Sequence, residues 1–424
     1  MSLIKPGRNK APSFSRRTFL RGTAGMALAG ALPSFSGCAP EEVFTVVSLP
    51  DTQNYSDQFP EVYMAQTRWI AEHKDSDRIE FVTHLGDIVD NGPDLRQWGN
   101  AQKAMKVLDS ANVRHGTCLG NHDLMYANKA YAWPTGVDQS CSYKGDLDCA
   151  AKEYLTHFGP GLYKGRPWYG GASPSGLSNY QTFTIAEVRF LFLHLSVDPR
   201  QAEVAWAQTV LDRYKDHLVH LSTHRYMYDY RLVKALPSPL NKFGGGRFDA
   251  VIHSMGQQPY FKDSSTADDF FKNFVFKNTN IFMVQCGHVD AELRQVSTNA
   301  AAQPVHEMLV DFQSFEDKGG NGWMRLLEFN LDLGEVHVRT YSPYLKRFRT
   351  HDDAFNGCIK AFDMVLKEYS QYLMAFSISE KEMRQKLSYW SQDPAGRKEF
   401  HDLLFADGRR DSDFVLKVDF CAYT

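Results

Sequence analysis

The stretch Ile79-Glu80-Phe81-Val82-Thr83-His84-Leu85-Gly86-Asp87-Ile88-Val89-Asp90-Asn91 decides how the rest of the chain is read. Ile79–Leu85 has the length and the apolar, β-branched character of a buried strand. It ends at Gly86-Asp87, so a carboxylate is delivered where the strand stops. Working outward, the same pattern recurs four times. Val43–Leu49 runs into Asp51-Thr52-Gln53, and Val113–Leu119 into Gly120-Asn121-His122-Asp123. Leu218–Thr223 delivers His224-Arg225, and Asn280–Cys286 ends at Gly287-His288-Val289-Asp290. Apolar runs that each end in polar residues of ligand type point to an α/β sheet protein with its site at the strand ends.

Helical patterns separate these runs. Residues 61–74 read as a helix, Leu95, Trp98, Met105 and Leu108 form a helical stripe, and Val204, Ala207, Leu211 and Tyr214 mark another. The segment 125–180, rich in Gly, Pro, Tyr and Trp, reads as a long loop with little regular structure that forms a wall of a cleft. A hairpin is expected over 180–197. Val305–Phe312, Trp323–Leu331 and Glu335–Tyr341 read as successive antiparallel strands, and Phe414–Phe420 alternates with period two as a terminal strand. Between them, 355–410 is helical, with Phe362, Val365, Leu366, Tyr369, Leu373 and Phe376 on one face. This reads as a helical insertion before the last strand of one domain, 43–424.

The chain has 424 residues, 43% hydrophobic and 23% charged, enough to bury a large core. Its net charge of -3 is unevenly spread: residues 1–37 hold six Lys/Arg and no Asp or Glu, leaving 41 basic against 50 acidic residues. A mildly acidic body without a basic run gives no electrostatic reason to expect binding of nucleic acid or anionic membrane. A small anion would need locally concentrated positive charge, such as metal ions. Segment 1–37 reads as an address. Ser15-Arg16-Arg17-Thr18-Phe19-Leu20 precedes a small-residue run, Gly22 to Gly37, that is short and interrupted by Pro33. It resembles a bacterial twin-arginine signal, which implies that export machinery as partner and a periplasmic destination. Phe35-Ser36-Gly37-Cys38 is similar to a lipoprotein cleavage site, so a lipid anchor at Cys38 and ordinary cleavage both stay open. Cys118, Cys286 and Cys421 lie in apolar runs and are expected as buried thiols. Cys141 and Cys149 flank a polar loop and are candidates for a disulfide.

Taken in order, the loops D-T-Q, G-D-x-x-D, G-N-H-D, a lone His and G-H-x-D resemble the calcineurin-like metallophosphoesterase family over roughly 43–345. Val310-Asp311-Phe312-Gln313, Gly319-Gly320-Asn321-Gly322 and Thr340-Tyr341-Ser342-Pro343 look like the tail of a bacterial subgroup that also begins with D-T-Q. The resemblance implies a four-layer α/β/β/α sandwich of two mixed β-sheets around a dinuclear metal centre. It implies that Asp87 bridges the metals, Asp51 binds the first, and Asn121, His224 and His288 complete the second. The implied reaction is hydrolysis of a phosphoric mono- or diester by metal-bound hydroxide, with His122 as general acid and Asp123 holding its imidazole charged and oriented. Asp90 is expected to support the loop or His122. Asn91 and Arg225 are candidates for contact with the phosphate. His84, His115, His194 and His220 are expected to be structural.

Two positions depart from the family, which has histidine where this chain has Gln53 and Asp290. If both coordinate, the first site is Asp51, Gln53, Asp87 and Asp290, all oxygen. Such a set suits Mn or Fe, with Mg or Ca also compatible, while nitrogen ligands at the second site suit Zn, Mn or Fe. The alternative is that Gln53 and Asp290 only hydrogen-bond to bound water. Two further readings stay open. One is a nucleotidase, or a cyclic-nucleotide or phospholipid phosphodiesterase, with Tyr126, Tyr131, Trp133, Trp168 and Tyr169 as stacking residues. The other is a non-catalytic exported binding protein that kept the fold.

Overall fold

The computed structural model describes residues 42–124, 147–237, 246–248, 260–313, 317–368, 379–405 and 410–423. The strands among them begin with β1 (Val43–Leu49), β2 (Ile79–His84), β3 (His115–Thr117), β4 (Tyr169–Ala172), β5 (Asn179–Ile185), β6 (Val188–His194) and β7 (Leu218–Ser222). They continue with β8 (Ile281–Cys286), β9 (Ala291–Thr298), β10 (Pro304–Asp311), β11 (Met324–Asn330), β12 (Glu335–Ser342), β13 (Arg347–Phe348) and β14 (Asp413–Lys417). One sheet has the order β13-β12-β11-β1-β2-β3, with β14 also paired to β12, and the other runs β4-β5-β6-β7-β8-β10-β9. Both are mixed. β1, β2 and β3 are parallel, as are β6, β7, β8 and β10, so their carboxyl ends gather at common edges.

Alternation along the strands produces the layers. In β1, Phe44 and Val46 enter the core between the sheets, while Val47 and Leu49 face helices outside. β6 repeats this: Phe190 and Phe192 point inward, and Leu191 and Leu193 outward. Helices Pro60–His73 and Leu95–Ser110 cover the first sheet with Val62, Ile70, Trp98 and Met105. Gln201–Arg213 and the turns over 267–275 cover the second with Ala207, Leu211, Phe270 and Phe274. The result is the four-layer α/β/β/α sandwich expected. No helix among the described residues is long and apolar enough to cross a membrane.

Several expectations are corrected. β10 is not an antiparallel neighbour of β11; it joins the other sheet, parallel to β8 and antiparallel to β9. The partner strand β9 escapes a reading by pattern because its polar second half lies at a sheet edge, where one flank meets water. The stretch 147–172 is not loop but three short helices, Leu147–Ala150, Lys152–Phe158 and Pro160–Tyr163, followed by β4. Its aromatic residues hold it down: Tyr163 packs 5.9 Å from Trp168 and 5.1 Å from Tyr169, ring centre to ring centre. That leaves Trp168 and Tyr169 as packing groups, while Tyr126, Tyr131 and Trp133 lie outside the described residues. Cys118 and Cys286 are buried thiols, but Cys421 is exposed in a terminal turn. Cys149 is disulfide-bonded; Cys141 lies outside the described residues.

Helices His351–Glu368, Glu380–Gln392 and Pro394–Phe405 follow β13. Phe355, Phe362, Leu366, Trp390 and Phe400 form one core with Leu85, Val310, Phe312 and Trp323. Leu85 immediately precedes the Gly86 loop and Phe312 follows Asp311, so this helical unit packs behind loops of the candidate site. Tyr369, Leu373 and Phe376 lie outside the described residues. A buried ion cluster adds to the anchorage: Glu292 accepts from Arg349 at 3.1 Å, and Arg231 binds Asp411 at 2.7 Å.

Candidate metal centre

Close approach of the loops depends on two glycines. Gly86 has φ +102°, and a Cβ there would lie 2.6 Å from Nδ1 of His224. A Cβ on Gly120 would lie 2.1 Å from the backbone nitrogen of Asp87. Both positions therefore exclude any larger residue, and the loops after β2, β3 and β7 can touch.

Their side chains meet at one point. His224 donates from Nδ1 to the carbonyl oxygen of Leu85 at 2.9 Å. In the neutral ring this turns the Nε2 lone pair toward Oδ1 of Asn121 and Oδ2 of Asp87, each 3.1 Å away. Nδ1 of His288 stands 2.8 Å from the same Asn121 oxygen. Burial, and then the charges of His224 and Arg225, hold His288 well below its usual pKa, in the neutral form a cation requires. Ligand atoms of Asp87, His224 and His288 lie within 4.8 Å of one another. With both rings neutral, nitrogen and oxygen lone pairs converge on one point and suit a cation.

The first position is built from oxygens. Asp51 follows β1, and its Oδ2 accepts from the backbone N–H of His288 at 2.9 Å. Its Oδ1 is buried with no hydrogen-bond partner, and so is Oε1 of Gln53. Burial, then the charges of Asp311 and Asp87, push the Asp51 carboxyl well up. Asp290 adds a further negative charge. Asp87 is different: burial opposes ionisation, but His224 and His122 outweigh it and hold the carboxyl low. Buried acceptors without donors are costly unless a cation satisfies them, and the residues present fit one.

His122 stands at the edge of this cluster. Its ring Nδ1 lies 2.7 Å from the carbonyl oxygen of Asp90 and 3.4 Å from that residue's carboxylate. Burial opposes the charged form, but Asp87 and the bonds to Asp90 raise His122 to about 9. Asp123 does not hold this ring, which corrects the expectation. Its two oxygens accept from the backbone N–H groups of Val89 and Gly120, at 3.0 and 2.8 Å, so it ties two loops together. Arg225 is only 2% exposed and pairs with Asp198 at 2.8 Å while stacking 4.4 Å from the ring centre of Phe248. Its charge is matched within the wall of the site, so the expected phosphate contact would have to share it. Asn91 is half-buried and held through its backbone N–H by Gln97.

His84 is a strut. Its Nδ1 accepts from Gly86 N–H at 3.2 Å, which puts the ring proton on Nε2, 3.0 Å from the Thr52 hydroxyl. Burial lowers it to about 3. One residue, quoted in the tail motif Val310-Asp311-Phe312-Gln313, was given no place in the site by the sequence. Asp311, the last residue of β10, is fully buried and faces Asp51 and Asp290. The signal was there: a lone carboxylate ending the apolar run Val305–Phe312, the same pattern that marked the other strands.

Comparison with known proteins supplies relatives. A family model described as calcineurin-like phosphoesterase matches residues 45–289, more than half of the chain. The "Uncharacterized protein YvnB" of Bacillus subtilis (strain 168) is 28% identical over 332 residues, covering 77% of this chain. The chain spans only 22% of the length of that relative. Among solved structures, a purple acid phosphatase from yellow lupin (Lupinus luteus) seeds aligns with a TM-score of 0.43 at 14% identity, over 73% of this chain and 53% of that one. A dimetal phosphatase from Danio rerio aligns with a TM-score of 0.38 at 12% identity, over 71% and 96%. These two scores are too low to carry an argument about activity.

Proposed function

Because the chain belongs to the calcineurin-like phosphoesterase family, we propose that it is a metal-dependent hydrolase of phosphoric mono- or diesters with a dinuclear centre. The convergence of Asp87, His224 and His288 within 4.8 Å carries this reading. Asp51, Gln53, Asp87 and Asp290 would hold the first cation, and Asp87, Asn121, His224 and His288 the second. When bound, the two cations would neutralise phosphoryl oxygens and activate water at neutral pH. His122 stands beside them with Nδ1 turned to Asp90, so Nε2 is the atom that gives a proton to the leaving oxygen. An all-oxygen first position favours Mn or Fe, with Mg or Ca compatible, and the nitrogen-bearing second favours Zn, Mn or Fe. The segment 1–37 supports export by the twin-arginine route to the periplasm, followed either by ordinary cleavage or by a lipid anchor at Cys38.

The test is turnover of p-nitrophenyl phosphate and bis(p-nitrophenyl) phosphate by the full chain. Asp87→Asn should abolish both activities; unchanged turnover in that variant would sink the mechanism. A nucleotide substrate is the second reading, favoured by the rings of Phe248 and Tyr260, each centred 6.2 Å from that of His288. A panel of nucleotides, cyclic nucleotides and phospholipid headgroups separates the classes.

A further inference from the structure

We propose that Asp311 is a ligand of the first metal position, a carboxylate that stands in for the nitrogen missing at Gln53 and Asp290. The inference rests on the dinuclear reading above and deepens it. Asp311 lies beyond residues 45–289, the span that matches the family model, and the tail resemblance that includes Val310-Asp311-Phe312-Gln313 gives it no role.

Its geometry carries the argument. β10 runs parallel to β8, so Asp311 at its end reaches the same edge as Gly287-His288 after β8. Oδ1 of Asp311 accepts from the backbone N–H of Gln313 at 3.0 Å, which fixes the carboxylate plane. Oδ2 has no hydrogen-bond partner, although the residue is fully buried. The carboxyl of Asp51 stands within hydrogen-bonding reach of it, and the Asp51 Oδ1 is likewise buried and unpartnered. Two facing carboxylates in a buried site require either a shared proton or a cation.

The unpartnered oxygens favour the cation. Asp51 Oδ1 and Asp311 Oδ2 are two of them. Gln53, only 6% exposed, adds a third unpartnered oxygen in Oε1. A cage with this many anionic oxygens matches a hard, highly charged ion better than zinc. The absence of histidine at both Gln53 and Asp290 then has a counterpart in a fifth oxygen ligand, Asp311.

The experiment compares the metal-stripped full chain with Asp311→Asn, an isosteric change, by metal analysis and calorimetric titration with Mn(II). Wild type should take up two equivalents, and Asp311→Asn should lose one or bind it at least about tenfold more weakly while keeping the other. Two equivalents bound with unchanged affinity overturn the proposal and leave the dinuclear reading intact. A wild type that binds no Mn(II), Fe or Zn overturns the dinuclear reading as well. Thermal melting guards against a folding defect. Without metal, removing a repelling charge should leave Tm equal or higher, while the rise in Tm on adding Mn(II) shrinks. A metal-free Asp311→Asn that melts below metal-free wild type shows a purely structural carboxylate and overturns the proposal.

Discussion

Nδ1 of His122 lies 2.7 Å from the carbonyl oxygen of Asp90, with the Asp90 carboxylate 3.4 Å from the same nitrogen. A carbonyl only accepts, so Nδ1 carries a proton and the ring is held by its Nδ1 side. Backbone thus sets the orientation, and the carboxylate favours the charged ring.

Asp90→Asn separates these two effects. The carbonyl bond survives, so the ring stays in place, but the charge that favours imidazolium is gone. A proton donor works below its pKa and fails as pH rises through it. Lowering that pKa therefore moves the alkaline limb of kcat/KM to lower pH. In wild type the limb should sit below about 9, because cations on Asp87 offset the largest of the attractions that raise His122. The expected cost in kcat is about tenfold. A limb that stays where it was in the variant would show that Asp90 has no hold on the proton.

Asp123→Asn should act on stability and leave the position of that limb alone. The amide keeps one acceptor but turns an NH2 group toward one of the two backbone N–H groups of Val89 and Gly120. An unpaired buried donor costs about 1–3 kcal/mol. Urea unfolding measures it, and a pH profile displaced as in Asp90→Asn would return Asp123 to the role of orienting His122.

Glu292 links the second sheet to the C-terminal part of the chain. Burial opposes its ionisation, but Arg325 and Arg349 hold its carboxyl below the usual range. A depressed carboxylate contributes stability above its unfolded pKa and loses it as pH falls through the folded one. Glu292→Gln removes the carboxylate that both buried guanidinium groups share, so it should cost about 3 kcal/mol at neutral pH. The difference from wild type should narrow as pH falls below the ordinary carboxylate range. A constant difference from neutral to acid pH would show that packing, and not charge, accounts for the loss.

Much of the site was legible because its signals are local. A buried strand shows in five to seven consecutive residues, and the candidate ligand follows two positions later, as in Leu49 to Asp51, Leu85 to Asp87 and Cys286 to His288. The residues the sequence misassigned depend on partners far along the chain. Asp90 and Asp123 both sit beside the cleft, and only the crossing of two loops decides which one reaches His122. Trp168 and Tyr169 looked free to stack a base until Tyr163 was seen to pack against them.

By itself, then, the sequence determined the α/β class and the strand ends that deliver Asp51, Asp87, Asn121, His224 and His288. Tertiary structure alone decided that β10 crosses to the other sheet, that Asp311 thereby joins Asp51, and that Asp90 in place of Asp123 holds His122. The physical reason is range. Side-chain alternation repeats every two residues and can be read from neighbours, whereas strand pairing and the match of a buried donor to its acceptor are settled between segments separated by up to hundreds of residues.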